Sequence, residues 1–243
     1  MFTGITRGTF PVVDLERRPD LLRYTVELPT ELAQGVQLGA SVSIDGVCQT
    51  VVAIDDADST GDGRRLTFDA IVETLDKTTL GELEVGTLVS VERSMRAGDE
   101  IGGHEVAGHV HGTGTIGEIR RAGDEVALRI DVQADWLPYI QHKGFIAVDG
   151  SSLTVGEVLG PDQADVDGHG AFWIYLIPET LRLTRFSDKA VGDRVNVELE
   201  ARTVTLVDAI ERQVATRLDA LLDPEHGALR ETLRQLVRSE LGS

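Results

Sequence analysis

Over the first two hundred positions the apolar residues come in short runs interleaved with polar ones, and helical spacing is rare. Tyr24 to Leu28 reads Tyr-Thr-Val-Glu-Leu and Ser41 to Ile44 reads Ser-Val-Ser-Ile. Arg65 to Val72, Leu88 to Glu92, Val126 to Val132, Phe145 to Val148 and Phe172 to Ile177 have the same character. Runs rich in β-branched and aromatic residues, with Gly and Asp between them, predict strands. Many short strands so spaced predict closed antiparallel barrels or sandwiches. Two acidic, glycine-bearing segments, Asp55 to Arg64 and Gly160 to Gly170, are read as hairpin tips.

After Thr205 the period changes. Leu206, Ile210, Val214, Leu218 and Leu221 recur at helical spacing, Asp223-Pro224-Glu225-His226-Gly227 interrupts them, and Leu229, Leu233, Leu236 and Val237 resume. The tail is predicted as two amphipathic helices. Since the strand-rich part supplies enough apolar residues for its own cores, the helical stripe is read as an oligomer seam.

The strand-rich part repeats itself. Asp45-Gly46-Val47-Cys48-Gln49-Thr50-Val51 recurs as Asp149-Gly150-Ser151-Ser152-Leu153-Thr154-Val155, an offset of 104 (45 to 149). Glu73-Thr74-Leu75 recurs as Glu179-Thr180-Leu181, and Val85-Gly86 as Val191-Gly192, an offset of 106 (73 to 179, 85 to 191). Solenoid repeats run at about 20–50 residues, so this period describes two complete, similar domains. The expected organisation is a first domain over 1–97, a second over 98–204, and a helical tail over 205–243. Two similar sites on one chain imply two similar ligands.

Composition narrows the classes of function. A length of 243 residues suffices for two domains of about 100 residues, each with its own core. A net charge of −18, with only Lys77, Lys143 and Lys189 beside twenty arginines, gives no basic stripe for phosphates and excludes nucleic acid. So acidic a surface repels itself in dilute buffer and suits a salt-rich cytoplasm that screens it. The absence of an apolar run near about 18 residues and of a leader-like start predicts a soluble, cytoplasmic protein away from membranes. Cys48 is the one cysteine, so neither an internal disulfide nor a cysteine-based metal cage is possible.

Two motifs resemble ligand sites and are rejected on physical grounds. His104-Glu105-Val106-Ala107-Gly108-His109-Val110-His111 lacks the spacing of a helical zinc motif, and its glycines oppose a helix; no metal is expected. Gly112-Thr113-Gly114-Thr115-Ile116-Gly117 matches a dinucleotide fingerprint by letter, but opens a strand and offers no helix N-terminus to a pyrophosphate.

Five blocks in order resemble the riboflavin synthase family, α-chain type. They are Met1-Phe2-Thr3-Gly4-Ile5, the block at 45–51, Asp99-Glu100-Ile101-Gly102-Gly103-His104 leading to Gly108-His109-Val110, Lys143 through Val155, and Ile177-Pro178-Glu179-Thr180-Leu181. The resemblance implies an all-β fold of two tandem six-stranded Greek-key barrels followed by helices that help build a homotrimer. It also implies a dismutation of two molecules of 6,7-dimethyl-8-ribityllumazine without metal or redox cofactor. One molecule gives a four-carbon unit to the other, yielding riboflavin and 5-amino-6-ribitylaminouracil. In the family the site lies between the first barrel of one chain and the second of its neighbour, and an association with lumazine synthase is part of the same expectation.

Carried over by position, the resemblance implies catalytic roles for Ser41, Cys48, His109, Ser152, Thr154 and Glu200, the last standing where the family usually has Asp. Ligand contact is implied for Gly4, Ile5, Thr6, Cys48, Gln49, Thr50, Asp69, Ala70, Ile71, Val72, Glu73, Thr74, Gly108, His109 and Val110. In the second half it is implied for Lys143, Ser152, Leu153, Thr154, Tyr175, Leu176, Ile177, Pro178, Glu179 and Thr180. Phe2 matches a further position important to the family. Arg185 departs from the pattern, replacing a small hydroxyl residue. Relatives of this fold also include non-catalytic antenna or storage proteins for lumazine or flavin; Lys143, Ser152 and Thr154 favour the enzyme. A flavin reductase would need a nucleotide-binding domain, for which the helical tail is too short.

Overall fold

A computed structural model describes residues 1–56, 63–164 and 168–222. The first half holds β1 (Thr9–Arg18), β2 (Leu21–Pro29), the short α1 (Thr30–Ala33), β3 (Ser41–Ile44), β4 (Val47–Asp56) and β5 (Gly63–Ile71). It ends with α2 (Val72–Lys77), a 3-10 turn at Thr79–Glu82 and β6 (Leu88–Arg93). The second half repeats the plan with β7 (Gly112–Ala122), β8 (Glu125–Gln133), β9 (Phe145–Val148), β10 (Ser151–Leu159), α3 (Pro161–Ala164) and β11 (His169–Leu176). Then come α4 (Pro178–Leu183), a 3-10 turn at Arg185–Ser187 and β12 (Arg194–Leu199).

Each half closes into a six-stranded antiparallel barrel. The orders are β1-β2-β5-β4-β3-β6 and β10-β11-β8-β7-β12-β9, the same cycle once equivalent strands are matched. Register irregularities recur at equivalent places, between Val12 and Asp14 in β1 and between Ile116 and Glu118 in β7. Period-two burial fills the interiors. On β2, Leu22, Tyr24, Val26 and Leu28 are at most 1% exposed and meet Leu66 and Phe68 of β5. Truncating a buried aromatic such as Phe68 to Ala would cost about 3–5 kcal/mol.

The repeated Asp-Gly pair makes the tight turn between β3 and β4 and between β9 and β10. Asp45 and Gly46 have φ of 44° and 83°, Asp149 and Gly150 of 43° and 80°. Two consecutive positive φ angles in a two-residue loop define a type I′ turn, which Asp-Gly adopts readily. The two turns also meet back to back: a Cβ added at Gly46 would lie 2.4 Å from the Gly150 amide nitrogen. Turn geometry and barrel contact thus demand glycine at the same positions. Around this contact the Asp45 carboxylate accepts the Ser90 N–H and the Asp149 carboxylate the Asn196 N–H, each at 2.7 Å. Arg185 lies 3.6 Å from Asp45, and Lys189 3.3 Å from Asp149.

The strand expectations hold with small corrections. Val72 begins α2 instead of ending β5, and Ile177 lies past β11, because α2 and α4 start there. The tip expected at Gly160 to Gly170 contains the helical turn α3, while residues 57–62 and 165–167 of the two tips lie outside the described residues. A separate unit, α5 (Ala201–Leu222), follows the barrels. It carries Leu206, Ile210, Val214, Leu218 and Leu221 exposed along one face. The second predicted helix, from Leu229, lies outside the described residues.

Candidate active site

Each barrel is preceded by an extended strap, residues 1–8 before the first and 106–111 before the second. The straps run antiparallel past one another, with Phe2 N–H to Val106 O at 2.7 Å and Val106 N–H to Phe2 O at 3.0 Å. Beyond that crossing each reaches the other barrel. The Ser152 N–H donates to Gly4 O at 2.8 Å, and the Cys48 N–H to Gly108 O at 2.9 Å. Gly4 and Gly108 have φ of 73° and 80°, and a Cβ on either would fall within 2.6 Å of the facing Ser152 or Cys48 Cβ. Close approach therefore requires glycine in both straps.

Two equivalent clefts result. The first, about 260 Å³, is lined by Val47, Cys48, Glu73, Thr74, Lys77, Thr78, Gly108, His109 and Val110. The second, about 200 Å³, is lined by Ser151, Ser152, Leu153, Ile177, Glu179, Thr180, Leu183, Thr184, Gly4, Ile5 and Thr6. Each combines the start of a fourth strand, a short helix after a fifth strand, and a strap. The short helices form because Thr78 and Thr184 accept the Leu80 and Phe186 amides at the following 3-10 turns and donate to the carbonyls of Thr74 and Thr180.

Gly4, Ile5 and Thr6 belong by sequence to the first half but line the second cleft; Gly108, His109 and Val110 do the reverse. Cys48, Glu73 and Thr74 line the first cleft, and Ser152, Leu153, Ile177, Glu179 and Thr180 line the second. Ser41 pairs with Thr50 across β3 and β4, and Phe145 with Thr154 in the equivalent place; neither pair lines a cleft. Gln49 is buried, its amide nitrogen donating to the Cys48 carbonyl at 3.1 Å. Asp69 is held bidentate by Arg23 at 2.7–2.8 Å, and that guanidinium lowers its pKa.

The side chains of Ala70 and Leu176 are buried, so only their backbones are available to a ligand. Ile71, Val72 and Tyr175 are exposed, as are Lys143 and Pro178. Glu200 is half-buried and acts electrostatically on His104. Lys143 has a φ of 64°, an unusual conformation for a lysine, and its amide bonds Val155 O at 2.8 Å. Its counterpart in the first half, Gly39, makes the same bond to Val51 O at 2.9 Å with a φ of 82°.

Sequence reading assigns no site role to Val47, Lys77 and Thr78 of the first cleft, to Ser151, Leu183 and Thr184 of the second, or to His104 beside Ser152. His104 lies 2.6 Å from Ser152 Oγ through Nδ1, donates its backbone N–H to the same oxygen at 3.1 Å, and stacks on Phe145 at 5.2 Å. Burial lowers its pKa, opposed by Glu200, so the ring is neutral near pH 7. In the tautomer whose Nδ1 accepts, the Ser152 hydroxyl donates its hydrogen bond to the imidazole and is polarised by it. Gly103 permits this contact, since a Cβ there would lie 2.6 Å from Ser152 Oγ. In the sequence His104 stands in the rejected metal motif and at the end of the block Asp99 to His104 that carries the family resemblance, with no role of its own. His111 instead accepts the Leu199 N–H through Nδ1 at 3.2 Å. Among the described residues no group of three or more His, Cys, Asp or Glu side chains is arranged to hold a metal ion.

Two closed barrels of equal topology, each with a strap-lined cleft, define a tandem small-ligand-binding architecture. The chain belongs to the lumazine binding domain family, whose model matches residues 3–94 and 107–200. Its relatives include riboflavin synthase of Escherichia coli (strain K12), 40% identical over 92% of this chain and 98% of that one. Riboflavin synthase of Mycobacterium bovis (strain ATCC BAA-935 / AF2122/97) is 40% identical over 82% and 93%. A crystal structure of LumP complexed with riboflavin superposes with a TM-score of 0.70 at 25% identity, covering 82% of this chain and 100% of that one.

Proposed function

We propose that this protein is a riboflavin synthase that dismutates two molecules of 6,7-dimethyl-8-ribityllumazine, one in each type of cleft. The observation that carries the reading is the presence of two clefts with one framework and different linings, as a reaction needs when the same compound must play two parts. One lumazine loses a proton from its acidic C7 methyl group; the other is attacked at C7. Transfer of the four-carbon unit then releases riboflavin and 5-amino-6-ribitylaminouracil. Holding two rings face to face supplies much of the rate, and hydrogen-bond donors around each ring stabilise the anion.

On this reading Cys48 and His109 act in the first cleft and Ser152 in the second, and Ser41, Thr154 and Glu200, which line neither cleft, keep the catalytic roles implied by their positions. Positioned by His104, Ser152 Oγ has a base in contact and is suited to moving a proton. The remaining positions expected from the sequence, from Gly4 to Thr180, contribute contacts to the two rings and ribityl chains.

Each cleft is smaller than the roughly 300–1,000 Å³ of a ligand pocket. Exposed Ile71, Val72, Phe145, Tyr175 and Ile177 lie on or beside their rims in sequence. Both facts support a site completed by a facing subunit. The exposed stripe of α5 supports a homotrimer assembled through the segment after residue 204, with barrels divided near residue 97. A cytoplasmic location, an association with lumazine synthase and a salt requirement complete the proposal. The deciding experiment incubates the protein with 6,7-dimethyl-8-ribityllumazine in molar KCl and follows flavin absorbance. One riboflavin per two lumazines consumed supports the synthase; tight binding without turnover would make the chain an antenna or storage protein.

A further inference from the structure

Each strap is fastened by a buried carboxylate on one barrel while its next residue shapes the cleft of the other. Glu92 on β6 accepts the Thr3 N–H at 2.6 Å and the Thr3 hydroxyl at 2.7 Å through Oε1. The next residue, Gly4, holds Ser152 in the second cleft. Glu198 on β12 accepts the Ala107 N–H at 2.7 Å and the Gly108 N–H at 2.8 Å, and Gly108 holds Cys48 in the first. The two glutamates occupy equivalent places in the repeat, 106 apart (92 to 198), and each is 5% exposed.

A carboxylate so buried is costly unless its oxygens are satisfied; strap donors satisfy both oxygens of Glu198 and Oε1 of Glu92, whose buried Oε2 has no hydrogen-bond partner. Burial raises the pKa of both glutamates and the strap hydrogen bonds lower it, so strap position and carboxylate solvation are one equilibrium. Neither glutamate lines a cleft.

We infer that Glu92 and Glu198 are crosswise positioning residues: the carboxylate of the first barrel sets the lining of the second cleft, and that of the second barrel sets the first. Their effect on catalysis rests on the proposed function, but their effect on cleft geometry does not. The chain's single cysteine provides a reporter, because Cys48 lines the first cleft.

Labelling of Cys48 by 5,5′-dithiobis(2-nitrobenzoate) is expected to accelerate at least about fivefold in Glu198→Leu and to change less than about twofold in Glu92→Leu, since a freed strap exposes the thiol it covers. In a Cys48→Ser/Ser152→Cys chain the thiol sits in the second cleft and the order reverses. General loosening would move both thiols alike; that result, or no acceleration in either chain, overturns the inference. Glu92→Gln keeps an acceptor for Thr3 and is expected to restore the slow rate. If the Leu variants fail to fold, Thr3→Val and Glu198→Gln, which each remove one strap bond, must show the same crossed pattern at smaller amplitude. Protection of either thiol by added 6,7-dimethyl-8-ribityllumazine tests the proposed function separately. Crossed labelling without protection would leave the positioning intact and sink the ligand assignment.

Discussion

The two clefts share a frame and differ in chemistry. Glu73, Thr74, Thr78 and Gly108 in the first match Glu179, Thr180, Thr184 and Gly4 in the second. Against that shared background the first presents a thiol, an imidazole and an ammonium from Cys48, His109 and Lys77, where the second has Ser152, Ile5 and Leu183. Val47 and Val110 face Ser151 and Thr6 in the comparison, which are themselves hydrogen-bonded at 3.2 Å. Phe2 packs against Cys48, whereas the His104 imidazole contacts the Ser152 hydroxyl. The repeat therefore preserves the backbone frame, and the linings differ at five equivalent positions.

The sharpest way to break the comparison is at the point where the halves touch. Gly46→Ala places a Cβ 2.4 Å from Gly150 N at a φ of 83°, combining overpacking with left-handed strain. Urea denaturation should show a loss of about 3 kcal/mol or more.

Next come the linings. His104→Gln is expected to lower kcat about 100-fold with a small change in KM, and Cys48→Ser about tenfold. Steady-state kinetics showing equal effects would mean that the clefts are not specialised.

The Asp45 turn makes stability depend on pH. Burial, and then the Asp149 carboxylate, push the Asp45 pKa up to about 7 from an ordinary 3.8. The folded protein thus holds an extra proton between about pH 4 and 7. Stability contributed by that proton is full below pH 4 and lost as pH rises through 7. Asp45→Asn should flatten this decline by on the order of 2 kcal/mol in denaturation curves taken across the range.

The smallest effect is expected at Lys143. Lys143→Gly copies Gly39, relieves the φ of 64°, and should raise stability by about 0.5–1 kcal/mol. If Lys143 also contacts lumazine, turnover falls as stability rises; an unchanged turnover would mean that the strained lysine serves neither cleft.

Much of this frame was legible from residue pattern. The Asp-Gly pairs named the turns, alternation named β2 and β5, and the glycines at 102–114 argued against a helix. β1 was not picked out as a strand, because Val12 is its only fully buried residue and charges fill its far end. The crossing of the straps was invisible for a different reason: a repeat reports which residues are equivalent, not which ones touch. Gly4 and Gly108 differ by the same offset whether each strap covers its own barrel or the other's. Only the hydrogen bonds to Ser152 and Cys48 decide it. His104 escaped because its partner lies 48 residues away and its role comes from burial, which a local motif does not encode.

The back-to-back Asp-Gly turns and the antiparallel straps make reciprocal contacts, Ser152 with Gly4 and Cys48 with Gly108, the pattern that two identical single-barrel chains would show as an isologous pair. In such a pair every substitution appears twice, and a thiol on one side brings a thiol on the other. Joining the halves in one polypeptide lifts that constraint. Position 48 can be cysteine while position 152 is serine, so the chain keeps the reciprocal contacts of such a pair and gains independent heredity for its two sites.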